Sequence, residues 1–185
     1  MAENRVNAME AAEWVRNGGV LAYPTEAVYG LGCDPFNESA FQQLLALKGR
    51  PLEKGVILIA SRVAQVAELA ELYERPWTNE VLQSWQEEGA VTWVLPAKTT
   101  VPSWITGGRD TVAVRVTHHP GVQALCDQLA GPLVSTSANL TGEAPIRSEA
   151  ACLAAFPTVP VLVGKVSGGK APSEIWDAQS GERLR

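Results

Sequence analysis

The sequence predicts one α/β domain spanning residues 1–185, a twisted mixed sheet flanked by helices. Three observations lead there. Stretches with helical apolar spacing alternate with short β-prone runs along the chain. Val56-Ile57-Leu58-Ile59-Ala60 is apolar without a break, the pattern of a strand covered on both faces. Gly and Pro punctuate the intervals, and no repeat, linker or low-complexity tract interrupts the alternation.

Each element has a local reason. Asn7 can cap a first helix with Glu10 three residues on, its apolar face Ala8, Ala11, Ala12 and Val15, and Gly18-Gly19 closes it. Val20 to Tyr23 reads as a buried strand that Pro24 stops, leaving Thr25 to Asp34 as a polar loop turned by Gly30 and Gly32. Asn37 caps a helix from Glu38 to about Lys48, with Phe41, Leu44 and Leu45 as its stripe. Pro51 forces Arg50 out of helical geometry, which puts Lys48 to Pro51 on a turn. After the strand at Val56, Ser61 caps a helix through Leu72, and Thr78 another ending near Gly89.

Ala90 to Leu95 and Val112 to Val116 read as strands, joined by a Thr-, Pro- and Gly-rich connection with an exposed-looking Trp104. Pro120-Gly121 opens a helix to Gln128 or Leu129. Leu133-Val134 then leads into a loop, Ser135-Thr136-Ser137-Ala138-Asn139. Ser148 caps the last clear helix, Val159 to Val163 is a strand, and a Gly-rich turn precedes Ser173 to Asp177.

With 46% hydrophobic and 19% charged residues, there is chain enough for a real core. A net charge of −5 argues against a surface that adheres everywhere to nucleic acid, while leaving room for a local basic cleft. No apolar signal region or bilayer-length run occurs, and the three scattered cysteines suit reduced core residues, so a cytoplasmic protein is expected.

Gly164-Lys165-Val166-Ser167-Gly168-Gly169-Lys170-Ala171 imitates a phosphate-binding loop, but Ala171 stands where a magnesium-holding hydroxyl is needed. A cover loop is the better reading. Ser135 and Ser137 lack a G-x-S-x-G elbow, and His118-His119 before Pro120 reads as a helix-capping turn, so no metal site is expected. What remains are cations, hydroxyls and glycine-assisted amides at strand ends: Thr25; Lys48, Arg50 and Lys54; Arg115; Ser135 to Asn139; Ser173. That set suits an anionic ligand whose reaction is promoted by positioning and charge neutralisation. Arg115 interrupts an apolar strand, so it needs either an anionic ligand or a structural Asp or Glu partner.

The stretches YPTEAVYGLGCD, KGRPLEKG, VAVRVTHHP, STSANLTG and SEIWD resemble, in order from about Val20 to Asp177, the motifs of the YrdC/TsaC family of threonylcarbamoyl-adenylate synthases. The length is similar to the short bacterial form. The resemblance implies a YrdC-like fold, akin to the dihydroxybutanone-phosphate synthase type, with a concave basic cavity. By motif, Thr25, Arg115, Ser137 and Ser173 fall where the family binds L-threonine. Lys48, Arg50, Lys54, Thr111, Ser135 and Asn139 fall where it meets the nucleotide and its phosphates, Lys48 and Arg50 being the catalytic candidates.

The activity implied joins L-threonine, bicarbonate and ATP, with Mg2+ carried on the phosphates, into threonylcarbamoyl-AMP and pyrophosphate for tRNA t6A37 synthesis. Its implied partners are TsaB-, TsaD- and TsaE-like proteins, with tRNA contact open. The alternative is a double-stranded-RNA or tRNA-binding maturation factor, which the acidic net charge weakens. Gly55 and Thr117 stand where many relatives have proline, and Glu174 replaces a small residue.

Overall fold

The computed structural model describes residues 4–49, 51, 56–87, 90–169 and 171–185. A two-residue strand β1 (Arg5–Val6) precedes helix α1 (Ala8–Arg16). Asn7 and Glu10 exchange side-chain and backbone hydrogen bonds at its start, the reciprocal cap the sequence predicts.

The next segment departs from its expected loop. Strand β2 (Leu21–Pro24) runs antiparallel to β3 (Tyr29–Gly32), with Pro24 inside the ladder opposite Tyr29. Thr25 closes the turn between them, its N–H and its hydroxyl both donating to the Val28 carbonyl. Gly30 and Gly32 are strand residues, and their role is close approach. A Cβ at Gly32 would lie 2.1 Å from the Val134 carbonyl oxygen, and one at Gly30 would lie 3.0 Å from the Tyr23 ring.

Helix α2 (Glu38–Lys48) has its predicted bounds, capped by Asn37 and ended by Gly49 in the left-handed region at φ 63°. Strand β4 (Ile57–Ala60) follows, then a helix α3 (Val63–Ala67) much shorter than the expected run to Leu72. Ser61 does not cap it; its hydroxyl bonds Gln65 and Asp127. The helix stops because Ala70 pairs with Ala97 and Glu71 donates to the Pro96 carbonyl. Helix α4 (Thr78–Gln86) starts at Thr78, whose hydroxyl donates to Leu72 rather than capping.

Strand β5 (Val91–Pro96), the short helix α5 (Ser103–Thr106) and strand β6 (Thr111–Val116) come next. Trp104 is partly buried, donating to Pro35. Helix α6 (Pro120–Leu129) is capped by His119, whose Nδ1 accepts from Gly121 and Val122. Strand β7 (Leu133–Ser137) runs through the serines that read as loop. Helix α7 (Glu149–Ala155), strand β8 (Val161–Leu162) and strand β9 (Glu174–Asp177) complete the order.

The strands form a mixed sheet in the order β1-β8-β2-β3-β7-β4-β6-β5-β9. Strand β7 joins the halves, antiparallel to β3 on one side and to β4 on the other. Alternation along each strand sends neighbours to opposite faces. Ile59 and Leu133 pack with Ala12, Val15, Leu125 and Cys126 beneath α1 and α6, whereas Leu58 and Val134 join the larger cluster with Phe41, Leu44 and Trp93. All three cysteines are buried and unpaired. Burial pushes Cys33 and Cys126 up to about 12 and Cys152 up to about 11, so they are core residues rather than nucleophiles. Among the described residues no helix is long and apolar enough to cross a membrane.

Candidate active site

A cross-strand row forms the floor of a cavity of about 590 Å3: Val94, Ala113, Ile57 and Ser135 stand in register on β5, β6, β4 and β7. On β6 the alternate residues Thr111, Ala113 and Arg115 line it, Val112 reaching both cavity and core, while Val114 and Val116 belong to the core alone. Ser137 opposite Gly30, the turn residues Thr25 and Glu26, and Ser173 before β9 complete the polar wall. Arg109 and Arg185 add two further cations, and Asp177 a second carboxylate.

Arg115 and Glu26 form the central ion pair, Nη1 to Oε2 at 2.8 Å, with side chains only 7% and 12% exposed. The second Glu26 oxygen accepts the Thr117 hydroxyl at 3.0 Å. Burial alone would raise the Glu26 pKa. The Arg115 charge and the hydrogen bonds outweigh it and hold the carboxyl below its ordinary value. Arg115 thus has the structural carboxylate partner that the sequence left open, yet the pair itself faces the cavity.

Ser173 sits at a second junction. Its Oγ lies 2.8 Å from Oγ1 of the buried Thr92 and accepts from Arg185 Nη2 at 3.2 Å. Arg185 also donates to the Ser173 carbonyl. Burial, and then the charge of Arg115, lower the Arg185 pKa.

Lys48 corrects an expectation. It is the last residue of α2 and 2% exposed, not part of an exposed turn. Its ammonium donates to the Ser137 carbonyl and, at 3.2 Å, to Asn139 Oδ1. Ser137 Oγ donates to that same Oδ1 at 2.6 Å, while Asn139 Nδ2 donates to the Leu140 and Glu143 carbonyls. Lys48 and Asn139 therefore stand behind Ser137 rather than lining the cavity. The sequence missed this because a lysine at a helix C-terminus beside glycine ordinarily points to water. Arg50 and Lys54 lie outside the described residues.

The imitation phosphate loop is a rim. Ser167 and Gly169 donate to the Thr25 and Glu26 carbonyls, Tyr29 to Gly164, and His119 Nε2 to Lys165, and no helix follows among the described residues. Ala171 at its end and Pro172 just beyond line the cavity.

Comparison with known proteins fits this geometry. A family model for Sua5/YciO/YrdC, described as telomere recombination, matches residues 13–185. The chain belongs to the Sua5/YciO/YrdC family. Its relatives include the threonylcarbamoyl-AMP synthase of Hydrogenovibrio crunogenus, 62% identical over 95% of each chain. That of Methylococcus capsulatus is 48% identical over 95% of this chain and 94% of its own. Among solved structures, P. abyssi Sua5 complexed with L-threonine superposes with a TM-score of 0.80 at 32% identity, covering 94% of this chain and 52% of that one. The chain thus spans about half of that Sua5. E. coli YciO shares the fold, with a TM-score of 0.77 at 24% identity over 92% of this chain and 82% of that one.

Within this Sua5/YciO/YrdC domain, the cavity contains five polar residues outside the predicted site set. Glu26 and Asp177 fell inside quoted motifs without a role, Arg185 follows the last motif, and Thr106 and Arg109 lie in the connection after β5. Only the Glu26 position carried a signal: a carboxylate in the same motif as Thr25, available to a strand arginine that needs a partner.

Proposed function

We propose that the protein is a threonylcarbamoyl-AMP synthase, a nucleotidyltransferase that joins L-threonine, bicarbonate and ATP and releases pyrophosphate. The observation that carries it is the convergence of Thr25, Thr111, Arg115, Ser135, Ser137 and Ser173 on one cavity with Arg109 and Arg185. The names of the relatives favour this reading over RNA binding.

Arg115 receives the threonine carboxylate with the guanidinium edge that Glu26 does not use. Thr25, whose hydroxyl proton is committed to Val28, offers only lone pairs and so accepts from the substrate amine or hydroxyl. Ser137 and Ser173 complete the threonine side. The nucleotide and its phosphates meet Thr111, Ser135, Arg50 and Lys54. Lys48 and Asn139 fix the Ser137 segment from behind.

The threonine amine takes up CO2 derived from bicarbonate to give a carbamate. A carbamate oxygen attacks the α-phosphorus and the bond to pyrophosphate breaks, negative charge passing to the leaving group. Cations held in a partly enclosed site stabilise that charge more than water would. Mg2+ enters on the ATP phosphates as part of the substrate and would neutralise phosphate charge. Among the described residues no group of three His, Cys, Asp or Glu forms a cage for it. The product would pass to TsaB-, TsaD- and TsaE-like proteins that complete t6A37, in the cytoplasm.

The test is exchange of labelled pyrophosphate into ATP by the purified chain. Exchange that requires both L-threonine and bicarbonate is expected. None at saturating substrates and Mg2+ overturns the reading.

A further inference from the structure

Thr117 follows β6, is fully buried, and lies outside the cavity lining, yet its side chain touches the ion pair that faces the cavity. The direction of each hydrogen bond here is fixed by chemistry. The His119 backbone N–H can only donate, and it does so to Thr117 Oγ1 at 3.0 Å. The ionised Glu26 carboxylate can only accept, so the single hydroxyl proton of Thr117 goes to Oε1 at 3.0 Å. Thr117 N–H is itself anchored to the Ala60 carbonyl at 2.9 Å, an extension of the β4–β6 pairing. Each oxygen of Glu26 is thereby held from a different point, Oε2 by Arg115 and Oε1 by Thr117. With Oε1 released, the carboxylate could rotate about its last side-chain torsion, and the guanidinium would follow it.

We propose that Thr117 is a positioning residue for the amino-acid substrate: by pinning Glu26, it fixes the angle at which Arg115 presents its fork to the substrate carboxylate. This rests on the reading of the site as one that binds L-threonine through Arg115. It assigns to Thr117 an effect on substrate binding without substrate contact. The effect is confined to the amino-acid side of the cavity, because neither Thr117 nor Glu26 is among the residues assigned to the nucleotide.

The experiment compares Thr117→Val and Thr117→Ser with the wild type in the pyrophosphate-exchange assay, with unfolding temperature measured in parallel. Thr117→Val keeps the branched shape and loses the hydroxyl. We expect its KM for threonine to rise about tenfold, its KM for ATP to stay within about twofold, and the loss to be concentrated in KM rather than kcat. Thr117→Ser should restore the threonine KM. A lower unfolding temperature with an unchanged threonine KM, an equal rise in both KM values, or failure of serine to rescue would overturn the proposal. Should Thr117→Val not fold, Thr117→Ala carries the same expectation without a methyl group against the carboxylate. Absence of threonine-dependent exchange in the wild type would instead sink the functional reading, so the two failures are distinguishable.

Discussion

Arg115 and Glu26, 89 residues apart in the chain, meet at 2.8 Å in the wall of the cavity. A buried pair of this kind punishes removal of one partner more than it rewards the presence of both. Glu26→Gln should therefore cost about 1–3 kcal/mol at neutral pH and loosen threonine binding.

The same pair sets an acid limit. Glu26 has a depressed pKa when folded and an ordinary one, about 4.3, when unfolded. Its stabilisation is present above the unfolded value and is lost as pH falls through the folded one. Denaturant titrations at several pH values should show wild-type stability falling more steeply below about pH 5 than that of Glu26→Gln. Parallel curves would contradict the linkage.

Arg115→Lys keeps the charge and loses the planar fork, which a carboxylate reads through two parallel bonds. The threonine KM should rise by at least about tenfold while the ATP KM changes little. Equal weakening of both substrates would show that Arg115 serves the site as a whole.

Lys48→Ala should cost both activity and stability. The ammonium donates to the Ser137 carbonyl and Asn139 Oδ1 in a buried setting, and truncation removes these charge-assisted hydrogen bonds at about 1.5–3 kcal/mol each, although the Asn139 N–H and the Ser137 hydroxyl still reach the two acceptors. A lower unfolding temperature together with loss of pyrophosphate exchange is expected. A fully stable but inactive variant would return Lys48 to a purely chemical role.

Gly169→Ala tests the docked rim. A Cβ there would stand 2.8 Å from the Glu26 carbonyl oxygen and 3.0 Å from its carbon, both backbone atoms with little room to move. The hydrogen bond from the residue-169 amide to Glu26 should break, read as faster amide exchange at position 169 itself and at Ser167, with the core amides unchanged.

The alternation of elements, the caps of α1, α2, α6 and α7, and the bounds of α2 were legible because each rests on local chemistry: Asn7 with Glu10, Asn37, His119, Ser148. Thr25, Arg115, Ser135, Ser137 and Ser173 were legible as polar groups at strand ends, which one face of the sheet gathers at a single cavity; the narrower grouping of Thr25, Arg115, Ser137 and Ser173 came from the motif resemblance alone. What was hidden depends on partners distant in sequence. Gly30 and Gly32 read as turn formers, and only the backbone of β7 and the Tyr23 ring explain them as strand residues. Ser61 read as a cap, yet Asp127 takes its hydroxyl. Lys48 read as a turn cation beside Arg50, and only the Ser137 carbonyl shows it as a buried donor behind the site.

The place of β7 between β3 and β4 also governs how the molecule can be made. A nascent chain emerging from the ribosome has synthesised β3, β4 and β6 before Leu133 exists, so two strand borders stay open to solvent until the middle of the sheet arrives. No half-built cavity precedes that event, since its lining includes Ser135 and Ser137. Translation must run past this strand before either border closes, and the interval is when the polypeptide is most exposed to sticking to its neighbours.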